Sequence, residues 1–267
     1  MPGRRYLNAT DYIMSVFDRQ LRDLGFAGNL SHILLRCQGT PEAPPLQARL
    51  ADLAARCGGL QARVRRGWWP PKPRWQPVTP ARMPAVREHT LADAARLDET
   101  RLELMNRPLQ DDRGELVRCD LIHLPAGETE VIFSWNHVLM DAHGGEAFVA
   151  HLASDNATLA DGLTPDDHAT RPLPTPRLPW RRRLREMRRA TRRIDEMNTP
   201  PPVSLFSLRR DRVAPRQRFV SHRLSADETM QLHAQITAHA GFMGRSAYLL
   251  AAVTLSMHEL LQALGHA

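Results

Sequence analysis

Residues able to do chemistry are concentrated between Val131 and Glu146 of this 267-residue chain, in the run Val-Ile-Phe-Ser-Trp-Asn-His-Val-Leu-Met-Asp-Ala-His-Gly-Gly-Glu. An apolar and aromatic strand candidate leads straight into His137, Asp141 follows four positions on, and Gly144-Gly145 precede a helix-forming segment. At the end of a strand an imidazole can be held rigidly toward a cleft, where it can take a proton from an attacking hydroxyl or amine. Asp141 can fold back to fix the turn. Glycines at a helix start let backbone approach closely, where open N–H groups favour developing negative charge. A plainer alternative stays open, in which His137 is a structural histidine serving only the fold. A metal set of His137, Asp141 and His143 lacks a clear fourth ligand, so no metal is expected.

Other chemistries find little footing. The sequence holds no G-x-S-x-G, G-x-G-x-x-G or P-loop pattern, and Cys37, Cys57 and Cys119 show no paired spacing. That spacing and the odd count fit a reducing, cytoplasmic setting. Asp11 and Asp18 interrupt the N-terminal segment, so no signal peptide is expected, and the longest apolar stretch, Ala247 to Met257, is too short to span a bilayer. Of the 36 basic residues only Lys72 is lysine, and 13 arginines against four acids lie between Trp180 and Val220. The net charge of +7 therefore sits in one stripe on a near-neutral body, a poor arrangement for coating a nucleic acid.

Periodicity supplies the elements that must position the motif. A helix capped by Thr10 or Asp11 carries Ile13, Val16, Phe17, Leu21 and Leu24 at helical spacing and stops at Gly25. Leu30 to Cys37 reads as a strand, about Pro45 to Arg56 as a helix, and Leu60 to Val64 as a short strand. Gly67 to Pro84 holds Trp68, Trp69 and Trp75 among prolines and is expected to be irregular, a loop pinned by aromatic burial. Leu91 to Met105 reads as helix. Leu116 to Leu124 and Glu130 to Trp135 read as a hairpin about Pro125-Ala126-Gly127, and Glu146 to Leu152 resumes helix. After a polar connection over 155–179, Trp180, Leu184, Met187, Thr191 and Ile194 mark a basic amphipathic helix. A strand over Arg218 to Leu224, a helix opened by the capping box Ser225-Ala226-Asp227-Glu228, and an apolar helix from Gly244 to Leu264 complete the order.

On these residues the chain resembles the chloramphenicol acetyltransferase-like superfamily, which includes nonribosomal condensation domains and wax ester synthase/diacylglycerol acyltransferases. Asn136-His137-Val138-Leu139-Met140-Asp141 is similar to its H-H-x-x-x-D-G motif, Asn8 to Asp11 to its opening segment, Leu46 to Val64 to its helix-then-strand element, and Phe219 to Leu255 to the start of its second lobe. The resemblance implies an α/β fold, a mixed sheet with flanking helices, in which the N-terminal lobe is complete and the C-terminal lobe partial. The corresponding division is 1–178, a basic linker over 179–216, and 217–267. It implies a thioester-dependent acyltransferase or condensation enzyme, with His137 as base and Asp141 as loop organiser, while the richness in arginine and alanine points to a GC-rich bacterial genome. Asn136, Gly144 and Gly145 would meet substrate. Acyl-CoA or an acyl-phosphopantetheine carrier would be the donor, with no bound cofactor, and a hydroxyl or amine the acceptor. Two departures stand out. Ala142 replaces the motif glycine, and an arginine that pairs with the motif Asp aligns with Gln61, for which Arg63 could substitute. A non-catalytic, partner-binding remnant is the rival reading, as is a half-enzyme completed by a second chain.

Three roles are open to the helix from Arg181 to Arg193. It could be a solvated connector, bind an anionic membrane surface and make the protein peripheral, or dock an acidic carrier protein.

Overall fold

A computed structural model describes residues 5–65, 73–78, 83–154, 179–197, 216–218, 224–241 and 244–265. The chain divides into two compact units, Met1–Gln217 and Arg218–Ala267.

The first unit is built on a four-stranded mixed sheet. Its strands are β2 (Leu30–Gln38), β5 (Val86–Thr90), β6 (Val117–His123) and β7 (Glu128–Asn136), in the order β2-β7-β6-β5. β7 is antiparallel to both neighbours, and β5 is parallel to β6. The β6–β7 hairpin turns at the expected Pro125-Ala126-Gly127, with Gly127 at φ 74°, a conformation that costs only glycine nothing. A second, three-stranded sheet pairs β1 (Arg5–Tyr6), β4 (Arg74–Pro77) and β3 (Ala62–Arg65). The strand β4 corrects the expectation of irregular structure from Gly67 to Pro84. Trp75 lies in it opposite Arg5 and Val64, and the strand ends at Pro77, where a missing N–H interrupts nothing further. Trp68 and Trp69 lie outside the described residues.

Because side chains alternate along a strand, the main sheet has two different faces. One is apolar. Cys119, Leu121, Phe133 and Trp135 pack there under α2 (Ala43–Arg56), which contributes Leu50, Leu53 and Ala54, and α4 (Ala142–Ala153), which contributes Phe148 and Leu152. Phe133 stacks between Trp135 and Phe148 at ring separations of 5.6 and 5.1 Å. The other face mixes apolar and charged groups. Ile122 and Ile132 meet Leu97 and Leu104 of α3 (Leu97–Met105). Beside them Arg118, fully buried, donates to Asp120 at 2.8 Å and to the Leu104 carbonyl at 2.7 Å, while His89 bonds the other Asp120 oxygen at 2.9 Å. Arg87 reaches Glu115 at 2.9 Å. These pairs explain β5, which the sequence reading missed: the arginine and histidine of its Val-Arg-Glu-His-Thr face carboxylates supplied by β6 and the turn before it. The helix expected from Leu91 starts only at Leu97, after a 3-10 turn over Ala94–Arg96 whose entry Asp93 caps.

A further helix of this unit, α5 (Trp180–Met197), matches the basic amphipathic segment. In the second unit the capping box forms, with Ser225 and Glu228 bonded reciprocally at the start of α6 (Ala226–Ala240), and α7 (Arg245–Ala263) follows. Leu250, Val253 and Leu255 of α7 are exposed. The expected strand from Arg218 to Leu224 falls mostly outside the described residues.

His32 sits on the charged face, its Nδ1 bonded to Ser134 Oγ at 2.9 Å. Burial, and then the Arg118 charge, lower its pKa from the ordinary 6.5 to about 4. Since the unfolded chain binds this proton near pH 6.5 and the folded chain only near pH 4, stability rises with pH across that window, by roughly 3 kcal/mol in full. Urea unfolding at pH 7 and pH 5 is expected to show the lower stability at pH 5. His32→Gln should remove most of that difference, and an unchanged difference would contradict the assignment to His32.

Candidate functional site

The turn after β7 is fixed by its backbone and by neighbouring side chains. His137 N–H donates to the Asn29 carbonyl at 2.9 Å, continuing the β2–β7 ladder one residue past the strand. Asn136 Oδ1 accepts from Val138 N–H at 3.0 Å, closing a tight turn, and Leu139 N–H returns to the Asn136 carbonyl at 2.9 Å. Trp135 Nε1 donates to the Met140 carbonyl at 2.9 Å. Asp141 then caps α4, its Oδ1 accepting from Gly144 N–H at 2.8 Å. A helix thus starts at Ala142, four residues before the apolar pattern indicated, because an aspartate cap satisfies an otherwise orphaned amide.

His137 itself is half-buried, and its Nδ1 is shielded from solvent without a hydrogen-bond partner among the described residues. Among the described residues no carboxylate bonds that nitrogen. Asp141 is exposed and engaged in the cap. His143 is also exposed and lies 3.4 Å from Glu146.

Three residues expected to meet substrate have other occupations. Asn136 is buried, with its Nδ2 donating to Asp18 Oδ1 at 3.1 Å and its Oδ1 held by Val138. The Gly144 and Gly145 amides donate to the side chain and the main-chain carbonyl of Asp141, at 2.8 and 2.9 Å, which corrects the expectation that they are open to an oxyanion. Their glycine character answers to sterics. A Cβ at Gly145 would lie 2.5 Å from the Trp135 indole, and one at Gly144 would lie 2.8 Å from Met140 Cβ. Nor do Gln61 or Arg63 take the place of an arginine partner for Asp141. Gln61 reaches the Met83 sulfur at 3.6 Å, and Arg63 the Asp112 carbonyl and the Gln76 side chain at 3.2 and 3.4 Å.

Asp18 of α1 (Ala9–Asp23) reads in the sequence only as an acid interrupting the N-terminal segment, yet it braces the turn that carries His137. Its Oδ1 accepts from both Asn136 Nδ2 and Asn29 N–H, the latter at 2.8 Å, and its Oδ2 from Arg22 Nε at 2.9 Å. Gly28, at φ 118°, makes room, since a Cβ there would stand 2.6 Å from the carboxylate. A signal existed in the sequence, because Met14, Asp18 and Leu21 share one side of the helix at i, i+4 and i+7. The apolar stripe of Ile13, Phe17 and Leu24 drew attention instead, and those residues are exposed while Ser15 and Asp18 are buried.

Cysteine chemistry gains no support. Burial pushes the Cys119 thiol up to about 12 and raises that of Cys57, the opposite of what a thiolate nucleophile needs. A cavity of about 400 Å³ opens elsewhere, between α2, α4 and the apolar sheet face, lined by Leu46, Val131, Phe133 and Leu152 among others, and His137 does not line it.

Among solved structures, the first condensation domain of the CDA synthetase superposes with a TM-score of 0.50 at 18% identity, over 62% of this chain and 41% of that one. The chain has the condensation-domain fold. The first condensation domain of the calcium-dependent antibiotic synthetase, in complex with substrate analogue 2a, matches at TM-score 0.49 and 21% identity, over 61% of this chain and 40% of that one. The chain thus spans about two fifths of the length of these condensation domains. No family model and no curated protein sequence matches it.

Gly145→Ala should force the Trp135 ring or the start of α4 to move, at a cost of about 1–3 kcal/mol in urea unfolding. A variant as stable as the parent would show that the helix start yields freely.

Proposed function

We propose that this chain carries the base-bearing part of a thioester-dependent acyltransferase or condensation enzyme. One observation carries the reading. His137 stands at the end of a buried strand in the condensation-domain fold, its main chain clamped on both sides and, among the described residues, its ring nitrogen Nδ1 held by no hydrogen-bond partner. In this reading His137 takes a proton from a hydroxyl or amine acceptor as the acceptor's oxygen or nitrogen attacks the thioester carbonyl. Collapse of the tetrahedral intermediate breaks the C–S bond, and the proton passes from His137 to the leaving thiolate. No acyl-enzyme forms, in keeping with the raised thiol pKa values of Cys57 and Cys119 and the missing serine motif. Asp141 acts through the turn as a positioning residue. The donor is an acyl-CoA or an acyl group on a carrier protein, and the wax ester synthase-like and condensation-type acceptors remain alternatives within this reading.

A second reading is favoured by the apolar surface of α1. Tyr12, Ile13, Phe17 and Leu24 are all about half exposed, a patch of the kind that a further polypeptide covers. With only two fifths of a condensation domain matched, that polypeptide is a separate chain or segment supplying the rest of such a domain.

Both are tested on the chain purified from its native host with whatever associates with it. Acyl transfer from acyl-CoA donors to amine and alcohol acceptors should fall about 10²–10⁴-fold in His137→Ala, with thermal unfolding unchanged. Transfer that survives the substitution would overturn the general-base reading. A partner at equal stoichiometry would place the activity in the complex.

A further inference from the structure

Helix α5 has no counterpart in the acyl-transfer reading, and its surface is unusual. Over 18 residues it carries eight arginines against Glu186, Asp195 and Glu196. The ion pair Arg192–Glu196, at 3.5 Å, is the one made by this helix among the described residues. Trp180, Leu184, Met187, Thr191 and Ile194 fall on one side at alternating spacings of four and three. Of this stripe Trp180 is 69% and Met187 60% exposed, so these two large apolar side chains stand in solvent. Arg181 lies over the Trp180 ring, 5.4 Å from its centre. A polar helix that buries nothing is marginal in water unless something else binds it.

The spacing would suit a coiled coil, but two and a half heptads are too few for a stable one. Arginines flank the stripe at positions 181, 183 and 188, so two copies would set like charges against each other. An anionic surface answers both halves of the helix at once. A tryptophan at one end and a narrow apolar stripe enter the interface, while arginines on the other sides reach phosphates over about 27 Å of helix. A folded acidic partner would meet one side only, leaving most of the cations unused. We propose that α5 lies in the plane of an anionic phospholipid bilayer, held by its arginines and by Trp180 and Met187, and makes this protein a peripheral membrane protein. No described helix is long and apolar enough to cross a membrane, so the contact would be at the surface.

The test is co-sedimentation of the full chain with vesicles of phosphatidylcholine alone or mixed with phosphatidylglycerol. The chain should sediment with the mixed vesicles, not with the neutral ones, and be released as salt rises. Arg181→Gln, Arg183→Gln and Arg188→Gln together, the arginines flanking the apolar stripe, should weaken partitioning about a hundredfold, at roughly fivefold for each charge. Trp180→Ser with Met187→Ser should weaken it separately, and circular dichroism should show both variants folded. Equal binding to both vesicle types, or binding that neither variant changes, would overturn the proposal. No sedimentation, with retention on poly-glutamate resin that the arginine variant loses, would overturn it in favour of an acidic protein partner.

Discussion

The carboxylate of Asp18 ties together three pieces of chain distant in sequence. Through two acceptor bonds on Oδ1 and one on Oδ2 it joins α1, the entry to β2 at Asn29, and the side chain of Asn136 at the exit of β7. Without it the buried Asn136 amide would lose this partner, and a buried polar group without a partner costs about 1–3 kcal/mol. Asn136 relays the constraint to the next residues, because its other amide atom holds Val138 N–H. His137 lies between the two anchored positions. Its backbone position follows from a carboxylate on a different element, 119 positions earlier in the chain.

The sheet explains why such a polar brace belongs where it does. One face is filled by aromatic and aliphatic side chains under α2 and α4, and the Trp135 indole decides how closely α4 can approach. That approach demands Gly145, and it places Asp141 at the start of the helix and Met140 within reach of the indole N–H. The opposite face carries buried charge, Arg118 with Asp120 and His89, and the Asp18–Asn136 pair at its end. A buried charge left without its partner costs far more than the pair gains, so these groups fix register and strand order more than they add stability. The turn bearing His137 joins the apolar layer to the polar one.

Much of this was legible in the sequence. The hairpin of β6 and β7, the strand β2, the helix α2, the capping box and the run from Asn136 to Asp141 follow from alternation, glycine placement and cap chemistry, all of which are local. What escaped was set by tertiary pairing. β5 reads as polar because its charges are answered by Asp120 and Glu115, and β4 hides behind prolines that fall outside its paired N–H groups. The role of Asp18 was masked by the apolar stripe beside it, which stays exposed in this unit. The pair Gly144-Gly145 stands out in the sequence, but its amides are engaged by Asp141, and the missing side chains leave room for Met140 and for the Trp135 indole. A local pattern shows that glycine is needed at a position, and only the packed neighbour shows why.

Under the proposed acyl-transfer reading, Asn136, held by Asp18, acts on the chemistry solely by positioning His137. A double-mutant cycle on acyl transfer tests it most directly, comparing Asn136→Ala in the parent and in a His137→Ala background. The account predicts a clear loss from Asn136→Ala when His137 is present and almost no further loss when it is absent, since neighbours acting through one group are not additive. Fully additive losses would contradict it, because Asn136 would then contribute to the reaction independently of the histidine.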